Sequence, residues 1–162
     1  MPELVSRRIE ERAAEVGFPV LKRAAAAMSE AYRDGRTAAL ARLPAAERVA
    51  AYMVTRMPAT YAAAHAALRE IRQRVGAVST VLAIGAGTGG ASLAARHWFP
   101  GAAVTMIERD RAMAEMAREW LSDAQVLVED LTRLTVLPPH DLVMAAYSLG
   151  EFGRPAASRP YA

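Results

Sequence analysis

The sequence predicts an α/β fold in which a partial parallel sheet follows an α-helical N-terminal extension. Three observations predict it. The apolar run Val81-Leu82-Ala83-Ile84 leads straight into the glycine cluster Gly85-Ala86-Gly87-Thr88-Gly89-Gly90, and a helical pattern follows. Downstream, short apolar runs alternate with helical stretches, as in a chain of βαβ units. Upstream of Gly76, by contrast, apolar positions recur only at helical spacing. A glycine turn between the first strand and first helix of such a sheet is Rossmann-like.

The elements follow in order. Residues 3–16 and 20–34 read as two helices, separated by Gly17, Phe18 and Pro19. Asp34-Gly35 is a stop signal, and Leu43-Pro44 opens the next connection. Residues 45–56 read as a third helix. Pro58 is expected to end or kink it, because proline lacks an amide and clashes with the preceding turn. Residues 59–75 form a fourth helix, closed by Gly76. Beyond it, Ser79 to Ile84 is a buried strand, Thr88 to Phe99 a helix, and Pro100-Gly101 a turn. Ala103 to Glu108 is the second strand and Arg111 to Leu121 the next helix. Gln125 to Val128 is the third strand, with a polar turn at Glu129 and Asp130. Asp141 to Tyr147 is the fourth. The expected organisation is a helical region at 1–76, a sheet-forming half at 77–152 and an irregular tail at 153–162.

Composition excludes several function classes. The 162 residues include no Cys, so disulfides, thiolate metal sites and Cys nucleophiles are ruled out within them. His65, His97 and His140 show no metal-ligand spacing, and no metal site is expected. No run approaches the roughly 18 consecutive apolar residues of a membrane span. Met-Pro-Glu-Leu is not the start of a signal peptide, so a cytoplasmic protein without membrane contact is expected. Charge is uneven. Residues 1–76 carry 13 basic and 8 acidic side chains, and residues 77–162 carry 7 and 9. Arg7, Arg8, Arg12, Lys22 and Arg23 in the first two helices suit RNA phosphates, and equally a solvated helix surface.

The glycine loop carries the most chemistry. Glycine lets backbone amides approach a nucleotide, and the next helix presents unpaired N–H groups at its start. Gly85, Gly87 and Gly90 fit the dinucleotide spacing G-x-G-x-x-G. Gly85, Gly87 and Gly89 fit the G-x-G-x-G loop common in S-adenosylmethionine (SAM) enzymes. Spacing alone leaves NAD and SAM both open. Glu108 ends the second strand, where a carboxylate accepts ribose hydroxyls. Asp130 follows the third strand, where SAM methyltransferases of this architecture place a polar residue beside the adenine amino group; it also suits a helix N-cap. Asp110 reads as an N-cap. Tyr147 and Ser148 end strand four at the switch point beside strand one, suited to the methionine part of a cofactor, to an acceptor, or to strand-end packing. The candidate cofactor-binding set is Gly85, Ala86, Gly87, Gly89, Glu108, Asp130 and Tyr147. Arg111 and Arg118 are placed to pair with Glu115 and Glu119 along their own helix. No catalytic residue is assigned, because a sulfonium methyl donor needs positioning more than acid–base help.

A more specific signal lies upstream of the loop. Ala51-Tyr52, Arg56-Met57-Pro58-Ala59-Thr60-Tyr61 and Ala66-Ala67-Leu68-Arg69-Glu70 lead into Leu82–Gly89; Ile107-Glu108-Arg109-Asp110 and Tyr147-Ser148-Leu149-Gly150-Glu151 follow. Over roughly residues 45–152 the chain resembles the methyltransferase-like family associated with the mitochondrial small ribosomal subunit, which also has bacterial members. The resemblance implies a Rossmann-like SAM-dependent methyltransferase fold, SAM as cofactor, and the small ribosomal subunit or its rRNA as partner. A non-catalytic assembly factor retaining the fold is the alternative, and an NAD-binding protein a third. The sequence departs from the pattern at Ala83, where such enzymes carry Asp; restoring it, Ala83→Asp, is expected to strengthen cofactor binding. Longer members have Cys residues for a metal cluster, absent here. A full fold of this class continues beyond strand four. Strand four is therefore expected at an apolar sheet edge prone to self-association.

Overall fold

The computed structural model describes residues 1–134, 136–137 and 139–148. The helical half comprises α1 (Glu3–Val16), α2 (Phe18–Arg33), a 3-10 turn (Thr37–Arg42), α3 (Ala45–Thr55) and α4 (Met57–Arg74). Two breaks are narrower than the sequence suggests. Pro19 and Pro58 both lie inside the first turn of a helix, α2 and α4 respectively. The first amides of a helix have no intrahelical acceptor, so proline loses nothing there. Gly17 alone, at φ 83°, separates α1 from α2, and Arg56 alone separates α3 from α4.

The second half alternates strands and helices: β1 (Thr80–Ile84), α5 (Gly90–Trp98), β2 (Ala103–Ile107), α6 (Arg111–Trp120), β3 (Gln125–Leu127) and β4 (Leu142–Met144), with a 3-10 turn over Leu131–Arg133. The sheet is parallel throughout, in the order β3-β2-β1-β4. Strand four is shorter than Asp141–Tyr147. Its pairing with β1 stops at Ala83↔Met144. Asp141 uses its side chain instead, accepting the Ser79 and Thr80 amides at 2.7 and 2.9 Å. Those bonds hold its carboxyl below the usual range. Tyr147 leaves strand geometry altogether, at φ 62°.

Side chains alternate along the strands, so each strand feeds two clusters. Val81, Ala83, Val104 and Met106 face the main core, with Leu93 and Ala94 of α5 and Met116 of α6. Val5, Val49, Met53, Met57 and Leu68 join the same cluster, so residues on both sides of Gly76 build one core. On the opposite face Leu82, Ile84 and Ile107 pack with Leu127, Leu131 and Leu134. Helix α2 buries Leu21, Ala24, Met28 and Ala31 against Leu40, Ala50 and Ala51, a stripe at helical spacing. Among the described residues, no helix is long and apolar enough to cross a membrane.

Candidate functional site

The glycine loop takes a shape that side chains would obstruct. Gly85, Gly87 and Gly89 have φ of 61°, 56° and 85°, a region glycine enters freely and other residues rarely. A Cβ on Gly85 would collide with the Ser148 side chain, and one on Gly87 would lie 2.9 Å from the Tyr52 hydroxyl. Gly90 begins α5 instead; a Cβ there would come within 3.2 Å of the Met57 carbonyl. So Gly90 serves close packing against α4, while Gly85, Gly87 and Gly89 shape the loop. Ala86 ties the loop to β2, donating its amide to the Ile107 carbonyl at 3.0 Å.

Glu108 sits where the chain leaves β2. Its Oε2 accepts the Gly87 amide at 2.8 Å, and its Oε1 accepts the Asp110 amide at 2.8 Å. Burial raises its pKa above the ordinary value. The amides of Asp110 and Gly87 oppose that shift, the Asp110 charge adds to it and Arg109 opposes it. Asp110 caps α6, accepting the Ala112 and Met113 amides. Asp130 opens the short 3-10 turn, accepting the Thr132 hydroxyl at 2.7 Å and amide at 3.0 Å. The two Thr132 bonds, side chain first, hold its carboxyl below the usual range. Asp130 is thus both an N-cap and a lining residue of the cleft described next.

These groups meet at a cleft of about 700 Å³ over the C-terminal ends of the strands, within the roughly 300–1,000 Å³ usual for small-molecule sites. Gly85, Gly87, Glu108, Asp130, Tyr147 and Ser148 line its sheet wall. Ala86 and Gly89 do not reach it; Ala86 lines a minor recess of about 10 Å³ with Ala83, Tyr52 and Thr60. Tyr147 is largely exposed at the rim, and Ser148 is buried, its hydroxyl donating to the Ile84 carbonyl at 2.8 Å. Ala83 is buried in the main core, not in the cleft.

The opposite wall is built by the helical half, and sequence reasoning found little of it. Arg48, Tyr52, Thr55 and Arg56 run along one face of α3 and its end, at spacings of four, three and one, and all reach the cleft. That polar stripe, on a helix whose remaining residues are apolar apart from Glu47, is the signal available in the sequence. Arg48 clamps the walls together. Its Nε and Nη2 donate to the two oxygens of Asp110 at 2.7 and 3.2 Å, and Nη1 donates to the Leu43 carbonyl at 2.8 Å. Arg56 lies over the Tyr32 ring, 5.1 Å from its centroid, and its Nε is buried with no hydrogen-bond partner among the described residues.

Other sequence expectations find different partners. Glu119 pairs with Arg8 and Arg12 of α1, not with its own helix, and Arg118 donates to the Val126 carbonyl. Helix α1 packs on α3, which in turn packs on α6, and this brings two arginines of α1 within reach of Glu119. Arg23 pairs with Glu47. Trp98 packs on the core and donates its indole N–H to the His65 carbonyl at 3.0 Å. His65 and His97, distant in sequence, lie with ring centroids 4.7 Å apart.

The chain is similar to proteins of one family and one fold. Residues 46–159 match the family model described as "Mitochondrial small ribosomal subunit Rsm22". No curated protein matches significantly. Among solved structures, the mitomycin 7-O-methyltransferase MmcR is 22% identical, with a TM-score of 0.54 over 82% of this chain and 42% of that one. The plantazolicin methyltransferase BpumL, in complex with S-adenosylhomocysteine (SAH), is 14% identical, with a TM-score of 0.53 over 88% of this chain and 50% of that one. This chain therefore spans half or less of those structures. The fold is the Rossmann-like fold of SAM-dependent methyltransferases.

Proposed function

The chain belongs to the Rsm22 family of the mitochondrial small ribosomal subunit, and on that premise we propose that its cleft binds SAM or SAH. The observation that carries the reading is the joint between loop and acid: the Glu108 carboxylate holds the Gly87 amide, in a cradle that Cβ atoms at Gly85 and Gly87 would fill. Glu108 receives the ribose hydroxyls, Asp130 borders the adenine, and the backbone of Gly85, Ala86, Gly87 and Gly89 gives the loop its shape. Tyr147 closes the rim beside the amino-acid end. When bound, SAM supplies a methyl group already activated by its sulfonium. The protein's part is to position donor and acceptor and to exclude water. Titration of the full chain with SAM, SAH and NAD tests the reading.

We extend the reading to a partner: the small ribosomal subunit or its RNA, met by the basic helical half. Arg7 and Lys22 are its first candidates, since Arg8, Arg12 and Arg23 have acidic neighbours. Binding to small-subunit rRNA fragments should weaken steeply with salt as counterions return; salt-insensitive or absent binding at low ionic strength removes the RNA role. One observation favours a second reading, a factor that binds nucleoside without catalysing transfer: position 83 is a buried Ala where an acid is expected. Strand β4, with Val143 half exposed and no outer neighbour among the described residues, is the edge through which a second copy would dock. Sedimentation velocity separates that dimer from a monomer.

A further inference from the structure

Three cations line the cleft, Arg48, Arg56 and Arg109. Arg48 is committed to Asp110 and to the Leu43 carbonyl. Arg109 lies close enough to Glu108 and Asp130 for its charge to lower both carboxyl pKa values. Arg56 differs. Among the described residues no carboxylate pairs with it, its contact with Ser29 is a long 3.5 Å, and its Nε–H is buried without an acceptor. A buried donor left unpaired loses the hydrogen bonds it had in water, and among the described residues Arg56 is the one residue with such an atom that also lines the cleft. The Arg56 guanidinium carbon lies over the Tyr32 ring, 5.1 Å from its centroid, and a planar fork suits a carboxylate with two parallel bonds.

Its position fixes which ligand group it meets. Glu108 and Asp130 follow β2 and β3 at one end of the cleft. Arg56 adjoins Met57, whose carbonyl lies against Gly90. Thr60, one turn further along α4, shares a recess with Gly85, Met144 and Ala146 at the β1 and β4 end. A nucleoside whose base borders Asp130 and whose ribose sits on Glu108, as proposed above, would extend its 5′ substituent toward the β1 and β4 end, where Arg56 lines the cleft.

We propose that Arg56, supplied by the helical half, binds the α-carboxylate of the SAM or SAH amino-acid group and so makes the cleft selective for nucleosides that carry one. The inference rests on the nucleoside-site reading above. Titration calorimetry on the full chain tests it with SAH, with decarboxylated SAH, which keeps the amine, and with 5′-methylthioadenosine, which lacks the whole amino-acid group. The parent should prefer SAH over decarboxylated SAH by at least about tenfold. Arg56→Gln should lower SAH affinity by about 10- to 100-fold and leave 5′-methylthioadenosine within about threefold. Arg56→Lys should restore part of the loss. SAH binding with no preference in the parent overturns the inference even if the Gln variant fails to fold. So does an equal loss for all three ligands in a folded Gln variant, which marks Arg56 as structural. A parent that binds none of the three overturns the nucleoside site itself, and the inference with it.

Discussion

On the sheet wall of the cleft, Glu108 holds two amides, Asp110 caps a helix and grips Arg48, and Asp130 holds Thr132. On the helical wall, Arg56 keeps a buried N–H without an acceptor among the described residues. Apart from the Asp110–Arg48 pair, the first wall has its polar groups satisfied by neighbours a few residues away or across one strand. The second depends on long-range contacts for its place, chiefly Arg48 to Asp110 across 62 positions. A site built this way has one face shaped by local backbone and one face delivered by tertiary packing, and the two should fail differently.

The largest effect is expected from breaking the sheet wall at its backbone. Gly85→Ala meets both a left-handed φ and the Ser148 side chain. Strain of about 1–2 kcal/mol and overpacking of about 1–3 kcal/mol should lower stability by about 3 kcal/mol, measured by urea unfolding, and abolish ligand binding. Gly76→Ala, in open space at an unexceptional φ, is the control and should change neither.

Breaking the clamp comes next. Arg48→Met leaves Asp110 without its cation and the Leu43 carbonyl without a donor. About 2–3 kcal/mol should be lost. Hydrogen exchange should rise first in α2 and the Thr37–Arg42 turn, while β1 and β2 stay protected. Uniform exchange across both halves would erase the proposed distinction between the walls.

Glu108→Ala strands the Gly87 and Asp110 amides and should weaken nucleoside binding by about 1–3 kcal/mol. Glu108→Gln isolates the charge. Because burial raises the Glu108 pKa above that of an ordinary exposed carboxyl, the folded protein binds a proton that the unfolded chain has already lost. Its contribution to stability is present below the unfolded value and lost as pH rises through the folded one. Affinity for SAH should run the opposite way, rising across that window as the accepting carboxylate ionises. Both dependences should flatten in the Gln variant, as read by calorimetry and thermal melts at stepped pH.

The smallest effect belongs to the exposed pairs that join α1 to α6. Arg12→Ala, which removes contacts to Glu15 and Glu119, should change stability by no more than about 0.5 kcal/mol. A larger loss would mean that α1 docking, not the Arg48 clamp, holds the helical wall.

How much was legible beforehand follows the same division. The β1 strand, its loop, the order of strands and helices and the Asp110 cap are local patterns, and the sequence carries each within a dozen residues. The helical wall is not local. Periodicity gives α3 an apolar face, yet it does not say that the stripe of Arg48, Tyr52 and Arg56 turns toward strands that begin only at Thr80. Strand β4 is shorter than its apolar run suggests because Asp141 caps the start of β1 with its side chain, a contact spanning 61 positions. Glu119 pairs outside its own helix for the same reason: a tertiary contact brings Arg8 and Arg12 of α1 beside it. Ala83 was readable as a missing acid, but not as a core residue. Ala83→Asp would therefore bury a carboxylate beside Tyr52 and Thr60, so any gain in ligand affinity comes with lower stability.

The central claim is that the two walls enclose a nucleoside site of the SAM type. Titration calorimetry of the full chain against SAH and NAD, side by side, tests it most directly. The account predicts saturable one-to-one binding of SAH, left intact by excess NAD. Saturable binding of NAD with none of SAH, or heat from neither, would contradict it.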